Sequence, residues 1–163
     1  MEQFVLYFIL KQIVDMLGYD IKCSFNDMDL NAGNVCGIYI KGSGPSQYRE
    51  ISSGVYLNNI ARVEFVIQGA LSNESLFSIL NLSDKIKRTL IRASNCSYIA
   101  PDQVKMSDGG IIYSPSGIDD GQDIEVILCK VDLLGDINFL GKSEQGLPIY
   151  SINFNIEYAI GGK

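Results

Sequence analysis

Pro148 to Tyr158 reads as a strand, and from Tyr150 onward it alternates without a slip. Tyr150, Ile152, Phe154, Ile156 and Tyr158 fall on one side, and Ser151, Asn153, Asn155 and Glu157 on the other. A period of two is that of a β-strand, whose successive side chains point to opposite faces. Such a strand buries one face and shows the other to water. The same pattern recurs over 19–25, where Tyr19, Ile21, Cys23 and Phe25 alternate with Asp20, Lys22 and Ser24. It recurs again from Ile60 to Ala70, with Ala61, Val63, Phe65 and Ile67 facing one way and Arg62, Glu64, Val66 and Gln68 the other. Val35 to Lys41 and Ile124 to Leu134 read as further strands. The first of these is predicted to close a hairpin with 19–25 across the Asn-, Asp- and Gly-rich turn Asn26–Asn34.

Two stretches carry helical spacing instead. Over 2–17, Leu6, Ile9, Ile13, Met16 and Leu17 recur on one face, Phe4, Val5 and Phe8 widen it, and Gly18 is a good stop. So broad an apolar face calls for burial on two sides, or against a partner. Ser72-Asn73-Glu74 opens a second helix, whose apolar face is Leu76, Ile79, Leu80, Ile86 and Leu90. Residues 42–59 read as a long polar loop, 96–123 as irregular apart from a strand near Ser97 to Val104, and 139–145 as a turn. The tail Gly161-Gly162-Lys163 reads as loose. The predicted fold is α+β: a mainly antiparallel sheet with two amphipathic helices packed on one face, as a single domain over 1–163.

At 163 residues the chain is the size of one domain and can bury a core without disulfides or metals. Its net charge of −6, with 13 basic against 19 acidic residues, argues against a nucleic-acid binder, which needs a basic surface to displace counterions. The one basic cluster, Lys85, Lys87, Arg88 and Arg92, lies at the end of the second helix, where it complements the helix dipole. The opening run Met1–Lys11 lacks a basic start and is cut short by Lys11, so neither a signal peptide nor a membrane helix is expected.

The sequence contains no histidine. That removes the Ser-His-Asp and Cys-His hydrolases, most zinc sites and the commonest general base. The four cysteines, Cys23, Cys36, Cys96 and Cys129, have no CxxC spacing and sit in or beside apolar runs. They are predicted to be reduced core-filling residues, although a Cys23–Cys36 disulfide across neighbouring strands is geometrically feasible. Asp27-Met28-Asp29-Leu30-Asn31-Ala32-Gly33 resembles the front of a calcium loop, but Ala32 stands where the sharp turn needs glycine and Ile38 where the closing acid belongs. A hairpin turn of the Asx type accounts for it. Gly42-Ser43-Gly44 follows a strand, yet no Lys-Ser/Thr pair and no helix complete a phosphate loop. Asp119, Asp120 and Asp123, with Lys105 or Lys130, are the residues an acid–base pocket would use; in a Gly-containing turn the acids read as solvated. No catalytic, cofactor-binding or metal residue is assigned.

The element order resembles that of the tail terminator and minor capsid (tail completion) proteins of long-tailed bacteriophages and tail-like particles. The features that carry the resemblance are the amphipathic opening helix, the strand Arg62-Val63-Glu64-Phe65-Val66-Ile67-Gln68-Gly69 leading by a short turn into the helix Leu71 to Arg92, and the closing strand Tyr150 to Tyr158. The resemblance implies a non-enzymatic structural protein of the virion or tail-like particle, made in the bacterial cytoplasm. It implies a homo-oligomeric ring, a hexamer by that likeness, capping the tail tube. The ring's partners would be the tube protein and the head–tail connector proteins, with DNA passing through the lumen without specific binding. An acidic wall suits that passage. Other neck, connector or baseplate roles, a monomeric adaptor, and a small enzyme or ligand-binding domain are the alternatives.

Overall fold

The computed structural model describes residues 2–42, 47–51, 54–69, 73–101, 103–107, 109–114 and 121–162. Helix α1 spans Glu2–Asp15 and helix α2 Asn73–Arg92. The strands are β1 Lys22–Phe25, β2 Val35–Gly42, β3 Gln47–Ile51, β4 Gly54–Gln68, β5 Cys96–Ile99, β6 Val104–Ser107, β7 Gly110–Tyr113, β8 Gln122–Leu133, β9 Asn138–Lys142 and β10 Pro148–Gly162. Among the described residues they form one ten-stranded sheet along the path β1-β2-β4-β10-β8-β6-β7, with β3 on β4, β5 on β8 and β9 on β10. The fold is a sheet-dominated α+β arrangement in which all pairings but one are antiparallel.

β4 and β10 are the spine. They pair from Gln68↔Ile149 to Leu57↔Ile160, which brings Val63 opposite Phe154 and Phe65 opposite Ile152. Ala61, Val63, Phe65, Ile67, Ile152, Phe154, Ile156 and Tyr158 are all essentially inaccessible, as the alternation predicts. The rings of Phe65 and Phe154 meet edge to face at 5.8 Å. On the opposite face stand Arg62, Glu64, Asn153, Asn155 and Glu157, exposed or half-buried. Two polar residues of that face are buried instead. Gln68 donates its side-chain amide to Leu30 O (2.9 Å) and Gly33 O (3.0 Å), which draws the 27–34 segment over it, and Ser151 is only 2% exposed.

α1 is wrapped rather than laid on a surface. Val5, Leu6, Tyr7, Ile9, Leu10, Ile13 and Val14 are buried around it. The Phe4 ring meets Phe25 of β1 at 5.5 Å and Tyr113 of β7 at 5.3 Å. These strands are the two ends of the sheet path, so the sheet curls until both ends reach one helix. The broad apolar face is therefore consumed within the chain. Met16, predicted to belong to it, is 77% exposed, because the helix ends at Asp15 and Gly18 (φ +79) turns the chain away. In α2, Ile79, Leu82, Ile86 and Leu90 are buried; Leu82, not Leu80, completes the stripe.

Several predicted segments are corrected. β1 and β2 do not form a hairpin but run parallel, Cys23 opposite Cys36. Asn26, in the left-handed region (φ 51), donates its backbone amide to Ile38 O (2.9 Å) and accepts from Ile40 N at Oδ1 (2.7 Å). This clamp sends the chain back past β2 before it enters the strand. Much of the predicted 42–59 loop is strand: β3 and the first part of β4 form an arm, Gln47↔Asn58 to Ile51↔Gly54. The 96–123 region supplies β5, β6 and β7, short strands whose composition gives no sustained alternation. The predicted turn at 139–145 begins as β9, and Gly161 and Gly162 close β10 rather than a loose tail.

Candidate functional site

β8 and β9 follow one another along a single edge of β10. β8 pairs with Phe154–Gly162 and β9 with Pro148–Ser151. Each pairing carries a bulge. On β8, Leu128 pairs Tyr158 and Lys130 pairs Glu157, so Cys129 is the extra residue. The bulge re-phases the strand, placing Leu128 and Val131 both inward. On β9, Gly141 pairs Ile149 and Phe139 pairs Tyr150, which leaves Leu140 as the extra residue beside Gly141 (φ +115), a backbone conformation that glycine adopts without strain.

The result is a hairpin, β9 to the start of β10, in which Leu147 is buried but the apolar side chains of β9 are not. Phe139 is 57% exposed and Leu140 56%, while Leu134 just before them is 40% exposed. Phe139 rests one side of its ring on Tyr150 at 5.3 Å. Among the described strands β9 hydrogen-bonds to β10 alone, which leaves its other edge open for pairing. The hairpin base is tethered to α2 by Lys87 Nζ–Asp136 Oδ1 (3.2 Å), and Asp136 is held below the usual carboxylate range by the Ile137 amide first and then by Lys87.

Depressions also lie elsewhere on the described surface. A cleft of about 430 Å³ beside the C-terminal half of α1 is lined by Phe8, Lys11, Gln12, Asp15, Met16, Pro101 and Gln103, with Lys11 and Asp15 in an ion pair at 2.6 Å. A smaller one of about 270 Å³ on the polar face of the sheet is lined by Tyr39, Lys41, Arg62, Glu64 and Asn153. Neither sets a nucleophile against a base.

The residues singled out in the sequence are dispersed. Asp123 meets Lys105 across β6 and β8 at 3.7 Å, whereas Lys130, near the other end of β8, pairs with Asp132 at 3.6 Å. The two lysines therefore do not share a pocket, and Asp119 and Asp120 lie outside the described residues. In the calcium-like segment, Asp27 Oδ1 accepts from Met28 N (2.8 Å) and Asp29 Oδ1 from Asn31 N (3.0 Å), the latter the bonding of an Asx turn. Ser43 and Gly44 lie outside the described residues, and Gly42 ends β2. In the basic cluster, Lys85 stands over the Tyr19 ring (5.1 Å), Lys87 meets Asp136, and Arg88 pairs with Asp84 at 2.9 Å. Cys23 and Cys36 are buried as predicted, but Cys96 is exposed and Cys129 half-buried, one on a short outer strand and one in the bulge. Among the described residues no three His, Cys, Asp or Glu side chains lie close enough to hold a metal ion, and no helix is long and apolar enough to cross a membrane.

No protein-family model matches the chain, and no curated protein matches it.

The hairpin surface has a weak signal in the sequence. Phe139 and Leu140 sit between Gly135 and Gly141, with Ile137 as the one other apolar residue between those glycines. Reading 139–145 as a turn hides that pattern.

Proposed function

We propose that this chain is a structural assembly subunit of the tail-terminator kind: a protein that closes into a ring with copies of itself, caps a tail tube and joins it to the head connector. The observation that carries the reading is the β9 hairpin. It offers an open strand edge together with two apolar side chains more than half exposed, on a chain whose opening helix is already covered by its own sheet. The occupant is a second copy. A ring needs two different patches that meet head to tail, and the same molecule supplies other short sheet edges at β1 and β7 for the β9 edge to address. Covering the exposed parts of Phe139 and Leu140, a little over half of each, contributes about 2–3 kcal/mol per contact.

Further support comes from the element order: an opening helix, a strand pair flanking an arm, a long strand leading into α2, and a long closing strand. Both helices pack on the apolar face of the sheet in this reading, leaving the polar face and the edges for neighbours. The net charge of −6 suits a lumen past which DNA slides without sticking. Tail tube and connector proteins are the partners at the two ends of the ring, and the particle neck is where it acts. It is not an enzyme in this reading.

Light scattering with negative-stain imaging of the same fractions tests it. A ring of about six copies is expected, and Phe139→Asp with Leu140→Asp returns it to monomer without lowering the monomer's melting temperature. A chain that stays monomeric at every concentration, and also when isolated tail tubes are added, sinks the proposal. Rings that survive the double substitution move the interface away from β9.

A further inference from the structure

Cys23 and Cys36 are direct partners in the parallel pairing of β1 with β2. Partners in such a pairing project from the same face, and strands lie about 4.8 Å apart, inside the ~4.4–6.8 Å Cα separation that a disulfide spans. Both side chains turn inward: Cys23 is 7% exposed and Cys36 inaccessible. The two thiols thus share the buried side of the β1–β2 pair. Beside them Tyr7 of α1 donates to the Cys23 carbonyl at 3.3 Å. β1 is a terminal strand of the sheet, only four residues long, and β2 is its one neighbour among the described strands. Both cysteines are free thiols, so no cross-link holds the strand there.

We infer that Cys23 and Cys36 are an oxidisable pair, and that a peroxide converts them to an intrachain disulfide that staples the terminal strand β1 to β2. The two thiols are not equivalent. Interaction with the Cys36 thiol lowers the Cys23 thiol despite burial and the nearby Asp15, while the same interaction and then burial push Cys36 up. Cys23 is also the one with residual access to solvent. It is therefore the thiolate that attacks. Its sulfur takes one peroxide oxygen, the O–O bond breaks, and the departing hydroxide leaves as water after protonation. The Cys36 sulfur then attacks the sulfenic sulfur of Cys23, the S–O bond breaks, and a second water leaves with the Cys36 proton. Two thiols are oxidised and one peroxide is reduced to two waters. The pair is separate from the β9 hairpin, so the inference does not rest on the assembly reading.

The test uses the full chain in its native state. Hydrogen peroxide is added and removed, the protein is unfolded in an alkylating reagent, and peptides are mapped by mass spectrometry without reduction. Expected is a Cys23–Cys36 linked species lacking two hydrogens, in most molecules, with Cys96 and Cys129 still reaching the alkylator. In Cys36→Ser protein the link is absent and a sulfenic-acid trap marks Cys23. The inference is overturned if Cys23 and Cys36 both alkylate after peroxide treatment of the wild-type chain. It is equally overturned if their only links run to Cys96 or Cys129. The wild-type measurement decides the matter alone should the serine variant fail to fold.

Discussion

Gly69 directly follows the last residue of β4, and adding one methyl group there tests how tightly α2 is seated. The Gly69 amide donates to Pro148 O at 3.2 Å, so its backbone is tied to the start of β10. A Cβ on this residue would overlap Ile79 Cγ1 outright and stand 2.7 Å from its Cδ1 and 3.3 Å from its Cβ. Turning Ile79 about χ1 moves the first two atoms. It also brings Cγ2 round, because isoleucine is branched at Cβ, and the Cβ itself moves only with the helix. Gly69→Ala therefore displaces α2 and costs about 1–3 kcal/mol, the usual range for overpacking a filled core. For a chain of this size that lowers the melting temperature by roughly 2–12 °C. Ile79→Ala alone costs about 2–5 kcal/mol, through lost burial and a residual cavity. Combined, the two changes are not additive. The methyl added at position 69 enters the space that the isoleucine vacates, and replacing glycine also removes freedom from the unfolded chain. The double variant should be no less stable than Ile79→Ala, a favourable coupling of about 1–3 kcal/mol. Urea unfolding followed by circular dichroism on all four proteins gives the cycle. A Gly69→Ala protein as stable as wild type, or a double variant whose loss equals the sum, refutes the seating described here.

Burial, then the nearby Cys23, Asp15, Cys36 and Tyr113, raises the Tyr7 pKa from 10.0 to about 12. The neutral phenol is thus the form the fold favours: its stabilisation is full below about pH 10 and is lost as pH climbs to about 12, on the order of 2–3 kcal/mol. Melting curves between pH 9 and 12 should fall more steeply for wild type than for Tyr7→Phe, and parallel curves would disprove the assignment. Gln68→Leu keeps the volume but leaves the carbonyls of Leu30 and Gly33 without their side-chain donor. A loss of about 1–3 kcal/mol is expected, with faster hydrogen exchange confined to amides of 26–34, and unchanged exchange there would show that the segment holds itself.

What the sequence made legible was whatever repeats with a short period. Ala61, Val63, Phe65 and Ile67 on β4 and Ile152, Phe154, Ile156 and Tyr158 on β10 lie where alternation puts them, since both strands are central and must bury one face. Gly18 ends α1 for a local reason also visible in the chain. Long-range pairing was illegible. Whether 19–25 and 35–41 run parallel depends on one asparagine reaching two strand groups at Ile38 and Ile40, and no periodicity encodes that. The arm formed by β3 and the first part of β4 has no clean alternation and reads as loop, because strand order there comes from backbone pairing rather than from a patterned face. The β9 hairpin escapes for the related reason that its apolar residues have no inward alternation to join.

The same contrast bears on where copies of the chain can meet. A helix as apolar as α1 looks from sequence like a surface waiting for a partner, which is the simplest argument for self-association. The curled sheet removes it: Phe4 already touches both ends of the sheet, and the residues around the helix are buried. What the curl cannot remove is its own boundary. A sheet whose two ends close on a helix still leaves strand edges at those ends and wherever a strand is shorter than its neighbour. β9, covering only the first part of β10, is such a place and carries the most exposed aromatic side chain among the described residues. In the proposed assembly, association between copies runs through backbone pairing and two side chains rather than through a broad apolar face. Interfaces of that kind are small and gain from being repeated, and closing a ring makes every copy use both of its patches.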